Sequence, residues 1–236
     1  MHHLREVIEE AQERMPRVSC TRISGMTRWN VIDYLPQTGN VGIELGVAAG
    51  SFSSRMVQSG RFCQFYGVDA YSDGHSTREY KAALRATGLW ADYRLLRMNF
   101  SQAVDLFPDA SFDFIYVDGF AHTGLEGGRT MTEWFPKLKP GGIMAGDDYD
   151  LEAWPLVVWA VHEAAAQLDV PLCLTDIVED ETYSRFLSWF FTRPAKSPDN
   201  LIFSTSLQQF ADAEKARIDE LRRQKRQEKR KAEFQR

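Results

Sequence analysis

The chain has 236 residues, is 44% hydrophobic and 26% charged, and carries a formal net charge of −5. These are ordinary values for a soluble protein, and the length allows one α/β domain with appendages and a full core. Three cysteines, Cys20, Cys63 and Cys173, are odd in number and lack metal-ligand spacing, which excludes a disulfide framework and points to a reducing, cytoplasmic setting. No apolar run approaches the length of a membrane span, and the acidic, amphipathic start has no signal-peptide core.

In chain order, Leu4 to Arg14 predicts a helix stopped before Pro16, and residues 16–38 predict a connector lying over the ligand end of the domain. Strands and helices then alternate: strand 41–46, helix 51–59, strand 63–68, helix 77–87, strand 93–98, helix 101–107, strand 112–117. The series continues with helix 124–138, strand 142–146, helix 155–168, and two strands without a helix between them, 171–176 and 184–192. The run Trp154 to Ala166 is apolar but broken by Pro155, His162 and Glu163, so it predicts a buried helix. Such alternation implies a mostly parallel sheet sandwiched by helices. Three segments follow: 1–37 as helix and connector, 38–200 as the central domain, and 201–236 as a helical tail.

Residues 41–50 carry the most information. An apolar run, Val41 to Leu45, stops at Gly46; Gly50 follows, and Ser51 opens a helix. Glycine is needed where the backbone takes unusual angles or approaches a ligand closely. A second run, Phe62 to Val68, ends in Asp69, an acid placed to hydrogen-bond a ribose diol. The two features predict a site for a ribose-bearing cofactor. Without any function, the same residues are a buried parallel strand and its turn. The dinucleotide pattern wants a glycine where Ala48 stands, which disfavours NAD.

Further on, Phe112 to Gly119 reads F-D-F-I-Y-V-D-G and ends a strand at Asp118. Leu138 to Tyr149 reads L-K-P-G-G, four residues, then D-D-Y, with Asp147 and Asp148 past the end of another strand. Together with E-L-G-x-x-x-G around Gly46, these motifs resemble class I S-adenosylmethionine-dependent methyltransferases over roughly residues 38–192. More narrowly they resemble sugar O-methyltransferases of macrolide and aminocoumarin pathways, related to catechol-type enzymes. The resemblance implies a Rossmann-like sandwich with a mostly parallel seven-stranded sheet, its last strand pair reversed, plus the C-terminal helical tail. It implies that the cofactor is held by Glu44 (at the methionine end), Gly46, Ala48, Gly50, Ser51, Asp69, Asn99, Phe100 and Asp118. In its metal-dependent members acidic or amide residues hold the ion, which carries over to Asp118, Asp147 and Asp148 binding Mg²⁺ or another divalent cation.

Physical chemistry agrees with a cation there, because three carboxylates in one cleft repel unless neutralised or protonated, and all-oxygen ligands suit a hard ion. The competing reading is that Asp147 and Asp148 cap the next helix. For the catalytic base the candidates are His122 and Asp148. The sequence after Asp118 has one more residue before the histidine than is usual, and Phe120 stands where some sugar enzymes carry an aspartate. The unperturbed imidazole pKa of about 6.5 suits proton transfer at neutral pH; alternatively His122 only orients an aspartate. His2, His3, His75 and His162 are weaker candidates. Asn99 and Phe100 can meet the adenine, while Ser101 can cap the following helix. Tyr71, His75, Tyr149 and Trp154 follow strand ends and can wall an acceptor, or simply pack.

In the tail, Leu207, Phe210, Ala213, Ile218 and Leu221 can form one apolar stripe. Residues 222–236 hold eight basic and two acidic side chains, net +6, which leaves −11 for the rest of a chain whose total is −5. The tail can serve an anionic membrane surface, nucleic acid, an acidic face of another subunit in a homo-oligomer, or nothing but solvent. The expected activity is O-methyl transfer, metal-assisted, to a hydroxyl of a sugar, glycan or other small molecule. Two rivals stand beside it: an NAD-linked oxidoreductase, and a non-catalytic scaffold acting through the basic tail.

Overall fold

The computed structural model describes residues 2–72, 76–88, 90–119, 123–179 and 185–234; side chains at 2–3 and 229–234 are outside that description. Among the described residues eight strands form one sheet: β1 (Cys20–Ile23), β2 (Asn40–Leu45), β3 (Phe62–Val68), β4 (Tyr93–Leu96), β5 (Phe112–Val117), β6 (Leu138–Tyr149), β7 (Leu172–Thr175) and β8 (Leu187–Thr192). Their order is β1-β7-β8-β6-β5-β2-β3-β4. All neighbours run parallel except β8, which is antiparallel to both β6 and β7. Strand order reverses beside β2, between β5 and β3, and this is where open parallel sheets place ligands.

Among the described residues seven α-helices flank the sheet: α1 (His2–Arg14), α2 (Ser51–Gln58), α3 (Thr77–Thr87), α4 (Phe100–Ala103), α5 (Arg129–Trp134), α6 (Pro155–Leu168) and α7 (Thr205–Phe234). Alternate residues of each strand serve opposite faces. Ile43 and Leu45 of β2 join a cluster with Trp134, Phe135, Trp159 and Leu207, beneath α5, α6 and α7. Phe65, Phe114 and Tyr116 join the other cluster with Trp29, Ile32, Phe52 and Met56. No helix among the described residues is long and apolar enough to cross a membrane.

The structure departs from the predicted elements in three places. The sheet has eight strands rather than seven, because residues of the predicted connector form β1, which pairs with β7 in parallel register. The same connector holds a 3-10 segment, Arg28–Tyr34, that buries Trp29, Val31 and Ile32. Second, the helix predicted over 124–138 starts only at Arg129, because Gly127 and Gly128 take φ +61° and +84°, which a helix does not tolerate. Third, Lys139-Pro140-Gly141-Gly142 does not end the helix as a free turn. It lies inside β6, where Gly141 N–H donates to the Arg193 carbonyl at 2.8 Å, a bond beside the β6–β8 pairing.

Helix α7 is docked by its first half. Leu207 and Ala211 are fully covered, Glu214 is buried, and the Phe210 ring lies 5.9 Å from Trp159 of α6. Ala213, predicted in the stripe, is exposed and Ala211 takes its place; Leu221 is also exposed. The first part of the stripe, Leu207 and Phe210, thus packs within the chain, on α6.

Candidate active site

A cleft of about 640 Å³ opens beyond the carboxyl ends of β2, β3 and β5. One wall holds Gly46, Asp69, Tyr71, Asn99, Phe100 and Gly119. Facing it are Glu126, Arg129, Thr130 and Glu133 around α5, and Lys215, Ile218, Asp219 and Arg222 of α7. Four of the predicted cofactor residues, Gly46, Asp69, Asn99 and Phe100, are thus brought together on one wall. The α7 residues carry no motif, and only the docking of the helix reveals them.

Asp69 is the organising group of that wall. One carboxylate oxygen accepts the N–H groups of Val47 and Ala48 at 3.1 and 3.0 Å, and the other accepts Tyr71 N–H at 2.8 Å. These charge-assisted bonds tie the glycine turn after β2 to the loop after β3. Ala48 is held at φ +46° and Tyr71 at φ +48°, and the Tyr71 hydroxyl donates to the Ala48 carbonyl at 2.9 Å. Gly46 sits at φ +105° and donates its N–H to the Val68 carbonyl at 2.8 Å.

The remaining predicted cofactor residues lie elsewhere. Glu44 is 2% exposed and does not line the cleft; its carboxyl accepts the Ser53 hydroxyl, which in turn accepts Tyr93 Oη at 2.9 Å. Burial pushes its pKa up to about 8, so Glu44 is a neutral acid at pH 7. Gly50 is the N-cap of α2 and packs against Ala83 of α3, and Ser51 is exposed at the start of α2. Asn99, not Ser101, is the N-cap of α4, and its N–H donates to Gln102 Oε1 at 3.3 Å. The Phe100 ring lies against Gly119, where a Cβ would come within 2.5 Å of it.

The predicted metal ligands are arranged differently from a ligand set. Arg28, from the 3-10 segment, donates to Asp147 at 2.5 Å and lies 3.5 Å from Asp118. The other Asp147 oxygen accepts Tyr116 Oη at 3.0 Å and the Ser188 hydroxyl. Burial raises the Asp147 carboxyl, and Arg28 and Ser188 oppose that; with a guanidinium in contact, the pair is held ionised. Burial also opposes the Arg28 charge, but the adjoining Asp147 and Asp118 outweigh it and keep Arg28 cationic. Asp148 is half-buried, on a backbone at φ +64° where β6 shifts register against β8. Among the described residues no group of three His, Cys, Asp or Glu is placed to share one ion. The capping alternative does not hold either: Trp154 is the N-cap of α6, and Asp150 supplies the turn acceptor to Glu152 and Ala153.

His122 and Phe120 lie outside the described residues, as does His75. His162 is buried, bonded to Tyr149 Oη at 2.7 Å and to the Pro16 carbonyl at 3.0 Å, and joins β6 and α6 to the N-terminal segment. Tyr149 is thereby a packing residue, whereas Tyr71 does line the cleft. Sequence reading missed Glu126. It lines the cleft, accepts Thr130 N–H at 2.5 Å, and burial pushes its pKa up to about 7. A lone glutamate between a threonine and two glycines carries no motif, so only its burial marks it.

The sheet order, the reversed β8 and the turn at Gly46 define a class I methyltransferase fold. Residues 41–149, just under half of the chain, match the family model of a methyltransferase domain. Over this segment the chain is similar to methyltransferase domains. Among solved structures, a provisionally assigned O-methyltransferase from Klebsiella pneumoniae shares the fold at 15% identity and TM-score 0.52, over 82% of this chain and 90% of that one. Precorrin 8w decarboxylase from Methanobacterium thermoautotrophicum does so at 19% identity and TM-score 0.51, over 76% and 94%. The chain spans about half of an S-adenosylmethionine-dependent methyltransferase from Mesorhizobium loti, at 23% identity and TM-score 0.40, over 52% and 53%. Comparison with curated proteins gives no match.

Proposed function

We propose that the protein transfers a methyl group from S-adenosylmethionine to a hydroxyl of a small molecule, of the sugar, glycan or catechol type. The observation that carries this is the Asp69-centred wall, where an acid on β3 organises the turn after β2 and faces an open cleft. Asp69 would hold the ribose, Asn99 and Phe100 the adenine edge and face, and Gly46 the backbone approach. The cofactor's sulfonium supplies an electrophilic methyl carbon; the chain's part is to orient the acceptor oxygen and take its proton. The methyltransferase match across the glycine turn disfavours the NAD-linked alternative, as does Ala48 in place of the second glycine. A scaffold without chemistry has no support in a cleft this open. The 1–37, 38–200 and 201–236 division is retained as a proposal, with β1 and α7 contributing to the central domain.

Asp69→Ala should weaken S-adenosylmethionine binding by about 1.5–3 kcal/mol, as for lost hydrogen bonds to a charged group. Calorimetry measures it, and unchanged affinity would place the ribose elsewhere.

For the proton, His122 remains a candidate and Asp148 a weaker one; Glu126 is the described carboxyl in the cleft with a pKa suited to the task. As a base it works only when ionised, so kcat/KM should rise with pH through about 7. Glu126→Gln keeps an oxygen for Thr130 N–H yet removes the base. It should lower kcat by roughly 10²–10⁴-fold and abolish that pH limb. A variant with the wild-type pH profile would assign the base to His122 or Asp148.

A Mg²⁺ ion does not fit the aspartates as they stand, because the Arg28 guanidinium already occupies the space between Asp118 and Asp147.

A further inference from the structure

We propose that Arg28 is the resident cation between these aspartates, standing where a divalent ion would bind, so that methyl transfer here needs no metal. The inference rests on the methyltransferase reading above. Arg28 is 3% exposed, between Asp147 at 4% and Asp118, which is 20% exposed beside Gly119 on the cleft wall. Its guanidinium carbon lies 4.5 Å from the centroid of the Trp29 ring, 5.1 Å from Phe52 and 6.0 Å from Tyr116. Aromatic faces attract a cation, so the guanidinium is held from the ring side as well as from the carboxylate side. A divalent ion binding Asp147 would have to displace Arg28 and leave a second cation desolvated in the same enclosure. Both Asp147 oxygens are already taken, one by Arg28 and the other by Tyr116 and Ser188.

The consequence for chemistry is positional. A divalent ion would present open coordination positions to the acceptor hydroxyls. Arg28 is covered and offers none; it instead bridges Asp147 and Asp118, at 2.5 and 3.5 Å. In this reading Asp118, next to Gly119 of the cleft wall, and not a metal meets the polar groups that arrive there. Arg28 acts through Asp118 and is a positioning residue. The segment carrying it, Arg28–Tyr34, is anchored by Trp29, Val31 and Ile32 in the core, which fixes the cation without a loop having to close.

The test is Mn²⁺ uptake by the full-length protein, read by loss of the free-ion EPR signal and by calorimetry, with and without S-adenosylmethionine. Wild type is expected to take up no Mn²⁺ at millimolar concentration, and its turnover to survive EDTA. Arg28→Ala, which opens space beside two carboxylates, is expected to gain a Mn²⁺ site that Asp147→Asn in the same background removes. If Arg28→Ala does not fold, Arg28→Lys keeps a cation in place and should fold, bind no Mn²⁺ and retain part of the turnover. Stoichiometric Mn²⁺ uptake by wild type that Asp147→Asn abolishes, or activity lost to EDTA and restored by Mg²⁺, would overturn the proposal. Failure of the methyltransferase reading would show separately, as no heat of S-adenosylmethionine binding in wild type whatever the metal result.

Discussion

Gly46→Ala is expected to abolish cofactor binding and to leave little folded protein. The added Cβ would lie 1.5 Å from the Asp118 carbonyl oxygen, 2.3 Å from its carbon and 2.4 Å from Gly119 Cα. All three are backbone atoms, so no rotamer change relieves the clash. Moving them means prising the end of β5 from the end of β2, where Asp118 N–H donates to the Leu45 carbonyl at 2.8 Å. The residue would also be asked to hold φ +105°. Backbone strain and overpacking each cost about 1–3 kcal/mol, and here the contact is with main chain on a sheet. Gly60→Ala is the matched control. Gly60 is exposed at φ +70° with nothing within 4 Å of a built Cβ, so only the backbone term of roughly 1–2 kcal/mol applies. Denaturant unfolding of the two variants, with calorimetric titration of S-adenosylmethionine, compares them directly. Equal losses in both would mean that the turn at Gly46 is free to move.

Truncation of α7 after residue 204 is expected to destabilise the protein and weaken cofactor affinity, whereas truncation after residue 221 should do neither. The early truncation removes Leu207, Phe210 and Ala211 from the α6 face, and Leu207 is fully covered. Uncovering side chains the size of Leu207 and Phe210 costs about 1.5–3 kcal/mol each. For a chain of this length that is a drop in Tm on the order of 10 °C. It also removes Lys215, Ile218 and Asp219, one side of the cleft, and uncovers Gly127, on which Gln208 and Ala211 rest. The later truncation removes residues whose described side chains are exposed, plus one rim residue, Arg222. The basic end is then left for an anionic partner, and its contribution should be screened over about 10 Å at 0.1 M salt. Thermal melts and calorimetry on both truncations check the split. A change in oligomer mass on truncation after 204, with Tm unaltered, would instead assign the stripe to a second copy.

What was legible in the sequence follows from its periodicity and its turns. The runs Val41 to Leu45, Phe62 to Val68 and Phe112 to Val117 are apolar on both faces, as central parallel strands must be, and each ends in a residue that breaks the run. Gly46 and Asp69 were readable because a strand, a glycine turn and an acid at the next strand tip leave a fixed local spacing. The sheet order was not readable from spacing, although the resemblance implied it, and β1 was not, because four residues at an edge carry too little pattern.

Three further decisions belonged to tertiary structure alone. Arg28 lies 119 residues from Asp147 and no local rule joins them; the pair exists because the Trp29-anchored segment folds over the ends of β5 and β6. The aspartates that sequence chemistry assigned to a metal are therefore met by a guanidinium, and no carboxylate count could distinguish the two cations. Helix α7 reads as an amphipathic stripe with a basic end. Whether that stripe pairs with another chain or with α6 depends on an apolar face left open near Trp159, and this is known only once the sheet has formed. Glu126 gains its candidate role the same way, from desolvation that the docked helices impose on an otherwise unremarked carboxyl.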